Sequence, residues 1–259
     1  MAIPPIGKSP AAALRAGRGG LGGGRFAPAW GAEVVSSNIV GYEKVNLTDK
    51  TYKMGGVQFV GVGDKDVNLN DLFTGEIEYG TQIMFLDMTT GAYVTYKYLE
   101  EAYDEDLDDF VPGWADGKEN IAVDPVDAGS GFWFFPASGD TTVTQSGQVS
   151  SEKNVSISVP AGQYTMVINP FPEGFNPNKV SWNADLAYGT QIMILGPTGA
   201  YVSYKYLEEA YDEATDDFIP GWADGKENIV TDDIVGVGEG FWVLAPEGAT
   251  ITFTSPIAE

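Results

Sequence analysis

A segment of 32 residues occurs twice in this chain, 108 positions apart, and no other feature narrows the available folds as much. Residues 90–121 read TGAYVTYKYLEEAYDEDLDDFVPGWADGKENI, and residues 198–229 read TGAYVSYKYLEEAYDEATDDFIPGWADGKENI. Of these 32 positions 28 are identical, and Thr95/Ser203 and Val111/Ile219 are conservative exchanges. Self-similarity at a fixed period marks a module used more than once, so the chain is expected to fold as two copies of one unit joined head to tail. An asymmetric active site is seldom built twice in one chain. A binding face or an assembly contact often is.

The residues around the duplication extend it. Val35-Ser36-Ser37 matches Val149-Ser150-Ser151, Val45 falls opposite Val155, and Tyr52, Met54 and Phe59 match Tyr164, Met166 and Phe171. The 259 residues suffice for two modules with a core each. They divide into a Gly/Arg-rich basic arm over residues 1–31, a first module over 32–147 and a second over 148–259. The local signals are those of strands. Gln82-Ile83-Met84-Phe85-Leu86 and Ala92-Tyr93-Val94-Thr95-Tyr96 flank a Thr-Thr-Gly turn and read as a hairpin. The second copy shortens this turn by one residue, through Gly196-Pro197-Thr198-Gly199. Gly131-Phe132-Trp133-Phe134-Phe135 and Gly240-Phe241-Trp242-Val243-Leu244 read as strands buried on both faces, and Thr141-Thr142-Val143-Thr144 and Thr250-Ile251-Thr252-Phe253 close the copies. Residues 98–103 and 206–211, with Leu-Glu-Glu-Ala inside, are the two places where a helical turn is expected. The 33 glycines and 15 prolines suit short strands and turns. The fold class is all-β: two tandem sandwich-like or partly open barrel modules behind a flexible N-terminal arm.

Charge and missing residue types exclude several functions. The net charge is −23, yet residues 1–31 hold Lys8, Arg15, Arg18 and Arg25 and no acid, so the remainder carries −27. Such a body repels nucleic acid and anionic lipid and attracts cations or basic segments. With no cysteine and no histidine, disulfides, thiol nucleophiles, Cys/His zinc sites and histidine bases are all ruled out. No apolar run reaches the roughly 18 residues of a membrane span. Residues 1–31 lack the apolar stretch of a signal peptide, although Gly31-Ala32-Glu33 resembles the mature start of an exported protein. An unusual leader, an added segment and a misread start are all open readings.

Short phrases in the second copy form a recurring pattern: Val159-Pro160-Ala161-Gly162-Gln163-Tyr164, Asn169-Pro170-Phe171-Pro172, Trp182, Gly189-Thr190-Gln191-Ile192 and Gly238-Glu239-Gly240-Phe241-Trp242. The first copy keeps Gly129-Ser130-Gly131-Phe132-Trp133, replaces the N-P-F turn by Gly56-Val57-Gln58-Phe59, and lacks the Trp before Gly80-Thr81-Gln82-Ile83. This pattern resembles a β-rich repeat module of exported and surface proteins of certain Gram-negative bacteria. The resemblance implies an exported β-module and carries no catalytic residues to transfer.

Three clusters are candidate sites. The acids Asp104, Glu105, Asp106, Asp108 and Asp109, echoed by Asp212, Glu213, Asp216 and Asp217, could supply the six to eight oxygens that Ca²⁺ takes; the alternative is a solvated loop. Trp114 beside Asp116, and Trp222 beside Asp224, lie in turn-rich Pro-Gly-Trp-Ala-Asp-Gly loops and could stack on a sugar ring, or instead anchor their own loops. The tyrosines at 93, 96, 98 and 103 read as cross-strand packing. Arg15, Arg18 and Arg25 form a basic arm that could reach acidic surface on a neighbouring copy. Paired carboxylates alone can run a glycosidase, but here they sit in a duplicated loop, so no enzyme activity is expected. The expected function is that of a non-enzymatic structural protein, secreted or on a bacterial cell surface, that self-assembles into oligomers or polymers through its tandem β-modules. The alternative is a glycan-binding or adhesion module using the loop tryptophans.

Overall fold

Sixteen strands and one short helix make up the regular structure of the described residues, 40–257, in this computed structural model. Arg15, Arg18 and Arg25 lie outside the described residues. The first module runs β1 (Val40–Leu47), β2 (Lys53–Gly56), α1 (Leu69–Leu72), β3 (Phe73–Thr74), β4 (Gln82–Leu86), β5 (Tyr93–Asp104), β6 (Asp109–Ala115), β7 (Gly131–Phe135) and β8 (Thr141–Gln148). The second runs β9 (Asn154–Val159), β10 (Tyr164–Val167), β11 (Ser181–Trp182), β12 (Gln191–Leu195), β13 (Tyr201–Asp212), β14 (Asp217–Ala223), β15 (Phe241–Leu244) and β16 (Ala249–Thr254).

Each module pairs these strands identically. A three-stranded sheet has the order β1-β8-β3 in one and β9-β16-β11 in the other. A five-stranded sheet has the order β2-β7-β4-β5-β6 and, correspondingly, β10-β15-β12-β13-β14. All the strand pairs are antiparallel and no sheet closes on itself, so each module is sandwich-like and not a barrel. Alternation decides which face is inward. Along β8, Thr141, Val143 and Gln145 are buried and the residues between them are not. Phe132 and Phe134 on β7 turn inward and meet Phe73 edge-on at 5.5 and 5.9 Å. In the second module Phe241 stacks on Phe175 at 4.3 Å. Phe132, Phe134 and Phe241 are at most 1% exposed, and each such ring contributes roughly 2–3 kcal/mol by leaving water. The core is continuous across both modules, and the described residues form one compact unit.

Three local expectations are corrected. Residues 98–103 and 206–211 are strand, not helical turn. β5 pairs with β6 through Asp104, with one extra residue absorbed as a bulge between Leu99 and Ala102, and β13 repeats this between Leu207 and Ala210. The helix propensity of Leu-Glu-Glu-Ala is worth only tenths of a kcal/mol per residue, and cross-strand pairing outweighs it. The helix that does form, α1, is capped by Asn68, whose side chain accepts from the Asn70 and Asp71 backbones. Finally, Val45 pairs with Val143 as Ile157 pairs with Ile251. Val45 therefore corresponds to Ile157, and it is Glu43 that takes the place of Val155.

Candidate functional site

The two five-stranded sheets carry the same three-residue ladder on their outer faces. Met54 of β2 pairs with Trp133 of β7, which pairs with Met84 of β4. Met166, Trp242 and Met193 form the equivalent row across β10, β15 and β12. Four of the six methionines of the chain stand in these two rows. Met54, Met166 and Trp242 are buried against each other, and Trp133, Leu86, Met193 and Leu195 pack around them. The two outer faces thus meet in a seam where the indoles of Trp133 and Trp242 approach at 6.5 Å, inclined by 55°.

The seam has pseudo-twofold character, because its contacts are reciprocal. A Cβ on Gly131 would come within 2.8–2.9 Å of the Met166 and Val167 backbone. On the other side, a Cβ on Gly240 would come within 2.7 Å of the Gly55 carbonyl oxygen. Glycine is required at both places so that the backbones of the two modules can approach. Ile168 N–H donates to Gly129 O at 3.2 Å across the same boundary.

The symmetry extends to the tryptophan partners. Trp133 Nε1 donates to the Tyr93 hydroxyl and Trp242 Nε1 to the Tyr201 hydroxyl, both at 3.3 Å. Tyr52 meets Trp133 edge-on at 6.0 Å and Tyr164 meets Trp242 edge-on at 6.2 Å. Where the ladders do not touch, they leave an open groove of about 730 Å³. Its rim comes from two unequal turns. One is the β4–β5 turn, in which the Asp87 carboxylate accepts from Thr90 Oγ1 at 2.7 Å and Thr89 N at 2.8 Å. These hydrogen bonds hold the Asp87 carboxyl below its ordinary range and turn its charge into the loop. The other is the turn at Gly162 and Gln163 in the second module.

The residues singled out by sequence fare differently. Trp114 and Trp222 are 0% and 1% exposed, which corrects the reading of them as sugar-stacking platforms. Each is held by an asparagine. Asn70 accepts from Trp114 N at 2.7 Å and donates to Trp114 O and Ala122 O, both at 3.1 Å. Asn178 does the same for Trp222 N at 2.9 Å and for Trp222 O and Val230 O at 3.0 Å. Asp116 and Asp224 shape the loops behind these tryptophans. Asp116 accepts from Lys118 N and Asn120 N, and Asp224 from Lys226 N and Asn228 N, at 2.8 and 3.0 Å in both cases. Those bonds, led by the one from Asn228, depress the Asp224 carboxyl.

The acidic hairpin tips satisfy themselves. Asp104 accepts from Asp106 N and Leu107 N, and Asp212 from Ala214 N and Thr215 Oγ1. Asp108 and Asp216 accept from the hydroxyls of Tyr103 and Tyr211 at 2.8 Å, and Asp109 and Asp217 from the backbones of Phe110 and Phe218. Glu105, Asp106 and Glu213 complete these tips. Among the described residues no three acids converge as metal ligands, which matches the solvated-loop reading of these acids and not the Ca²⁺ reading. Tyr98 packs on Trp114 at 5.5 Å, as expected of a packing residue. Tyr93 differs from that expectation: it is 46% exposed and lines the groove. Two pairs of groove residues were within reach of sequence reading, since Tyr93/Tyr201 and Trp133/Trp242 recur at equivalent places.

Comparison with protein-family models, with curated proteins and with solved structures finds no match to this chain. Among the described residues no helix is long and apolar enough to cross a membrane.

Proposed function

We propose that this chain is a non-enzymatic structural protein, secreted or displayed at a bacterial cell surface, that assembles with copies of itself. The observation that carries this reading is a pair of equivalent sheet edges with no further strand beside them among the described residues. β6 and β14 are the last strands of their five-stranded sheets. Their inner ends are covered by bridges from Ala115 to Ile121 and from Ala223 to Ile229. Their outer ends carry Phe110 and Phe218, 63% and 62% exposed. Among the described residues no strand lies beyond these outer ends, whose Phe110 and Phe218 N–H groups are held only by the neighbouring Asp109 and Asp217 carboxylates. Such an edge with an exposed aromatic residue is a template for another strand, and Pro112 and Pro220 confine it to a short stretch. A chain with two equal contacts, each pairing with its like, grows into an open chain instead of stopping at a dimer. The acids at the tips oppose this approach, so assembly should strengthen as salt screens them.

Sedimentation and electron microscopy of the full chain across ionic strength test the reading. The native chain is expected to form extended assemblies. Phe110→Asp alone should stop at dimers, because the second edge still pairs with its like, and Phe110→Asp with Phe218→Asp should be monomeric. A native chain that stays monomeric at every ionic strength overturns the proposal.

A further inference from the structure

We propose that the groove between the two Met–Trp–Met ladders is a binding site for a neutral oligosaccharide, with a pyranose ring laid against Trp133 and its hydroxyls bonded by Tyr93, Tyr201 and Gln163. The site is independent of the strand edges invoked for assembly. Its volume of about 730 Å³ lies within the roughly 300–1,000 Å³ of small-molecule sites. Its three tyrosines, Tyr93, Tyr164 and Tyr201, are 46–48% exposed, which leaves large aromatic faces in water unless something covers them.

Charge narrows the ligand. The chain has 51 charged residues, 14 basic and 37 acidic, yet none of the 13 residues lining the groove is Asp, Glu, Lys or Arg. An anion would meet no cation there and would have to enter through the field of a strongly acidic body. The hydrogen-bonding capacity narrows it further. A phenol has one donor and two acceptor sites. Tyr93 and Tyr201 each use one acceptor site on an indole N–H, which keeps the hydroxyl proton and one lone pair for a ligand. Gln163 adds paired donor and acceptor capacity at the rim. A quaternary ammonium ion would use the ring faces but offers no acceptor to these hydroxyls and no donor to their lone pairs. A sugar ring has both: apolar C–H faces for the aromatics and hydroxyls that donate and accept. The same indole–phenol bonds fix the ring orientations in advance, so little order is lost on binding.

The test is an NMR titration of the full chain, following the indole N–H signals. The probes are neutral gluco-, xylo-, manno- and galacto-configured oligosaccharides, with tetramethylammonium as the competing chemistry. At least one sugar is expected to shift the Trp133 and Trp242 signals together while leaving those of Trp114 and Trp182 in place. Tyr201→Phe, which keeps the ring and removes only the hydroxyl, should weaken binding by about fivefold to tenfold, and Trp133→Ala should abolish it. The Phe110→Asp/Phe218→Asp variant should bind as the native chain does, which separates this site from the assembly reading. The proposal is overturned by a sugar panel that shifts no indole signal, by tetramethylammonium binding alone, or by sugar binding that Tyr201→Phe and Trp133→Ala leave intact.

Discussion

The two modules share every strand pairing, yet at one inward-facing position they make opposite choices. In the first, Glu43 on β1 stands opposite Gln145 on β8. In the second, the equivalent pair is Val155 on β9 and Phe253 on β16. Phe253 is 1% exposed and packs against Phe175 at 5.9 Å, closing that core with apolar contacts. Gln145 is equally buried, but it donates to Gly56 O at 3.1 Å. With the Gln58 amide oriented by its neighbours, its nitrogen donates to Glu43 Oε2 at 2.9 Å and its oxygen accepts from Gly238 N at 3.1 Å. Gly238 belongs to the other module. The polar choice therefore lies where the first module meets the second. A duplicated fold keeps its backbone and uses its side chains to distinguish the end of a core that faces solvent from the end that faces its twin.

The largest expected effect probes what the modules share. Asn70→Ala and Asn178→Ala each remove three hydrogen bonds that tie a buried tryptophan strand to the following loop. Each should cost about 2–4 kcal/mol, since the tryptophan N–H and the Ala122 or Val230 carbonyl lose their asparagine partner while Trp114 O and Trp222 O keep the Ala122 and Val230 N–H groups, and the two should cost nearly the same. Chemical denaturation of the two variants measures this. A cost at one site only would show that the asparagine clamps are not equivalent.

A smaller effect separates the modules. Trp114 Nε1 donates to Phe73 O at 3.3 Å, whereas the buried Trp222 Nε1 has no hydrogen-bond partner among the described residues and its ring lies 4.8 Å from Trp182. Both Trp→Phe changes lose volume, but only Trp114→Phe also leaves an acceptor unpaired. Trp114→Phe should be the more destabilising by about 1 kcal/mol, read from paired denaturation midpoints.

The smallest effect belongs to the polar junction. Burial raises the Glu43 carboxyl above its ordinary value; nearby Lys53 opposes the rise and Glu239 adds to it. The folded chain therefore holds this proton more tightly than the unfolded chain does. Glu43 supports folding below its unfolded pKa and withdraws that support as pH rises through its folded value. Glu43→Gln keeps an oxygen for Gln58 and removes the buried charge. It should raise the melting temperature slightly at about pH 7 and converge with the native chain near about pH 4. A variant less stable than the native chain at neutral pH would show that the Glu43 charge supports the junction.

Much of this molecule could be read from residue order alone, for identifiable reasons. Strand alternation, turn residues and a 28-of-32 internal repeat are local or periodic signals, so they announced the all-β class, the doubled module and the burial of Phe132 and Phe241. The same locality misled where two short-range preferences competed. Leu-Glu-Glu-Ala favours helix by itself, and only pairing with β6 and β14 makes it a bulged strand. Trp114 and Trp222 sit in loops rich in Gly, Pro and Asp, which suggests exposure. Their burial is decided by Asn70 and Asn178, each 44 residues away in sequence. The groove is the fullest case of a tertiary decision. Sequence places Met54, Met84 and Trp133 on three separate strands, and their counterparts on three more. Neither row is a site until sheet pairing aligns each one and the reciprocal glycine contacts bring the two modules face to face. Local chemistry set the strands; the meeting of two equal surfaces, which no single segment encodes, set what they enclose.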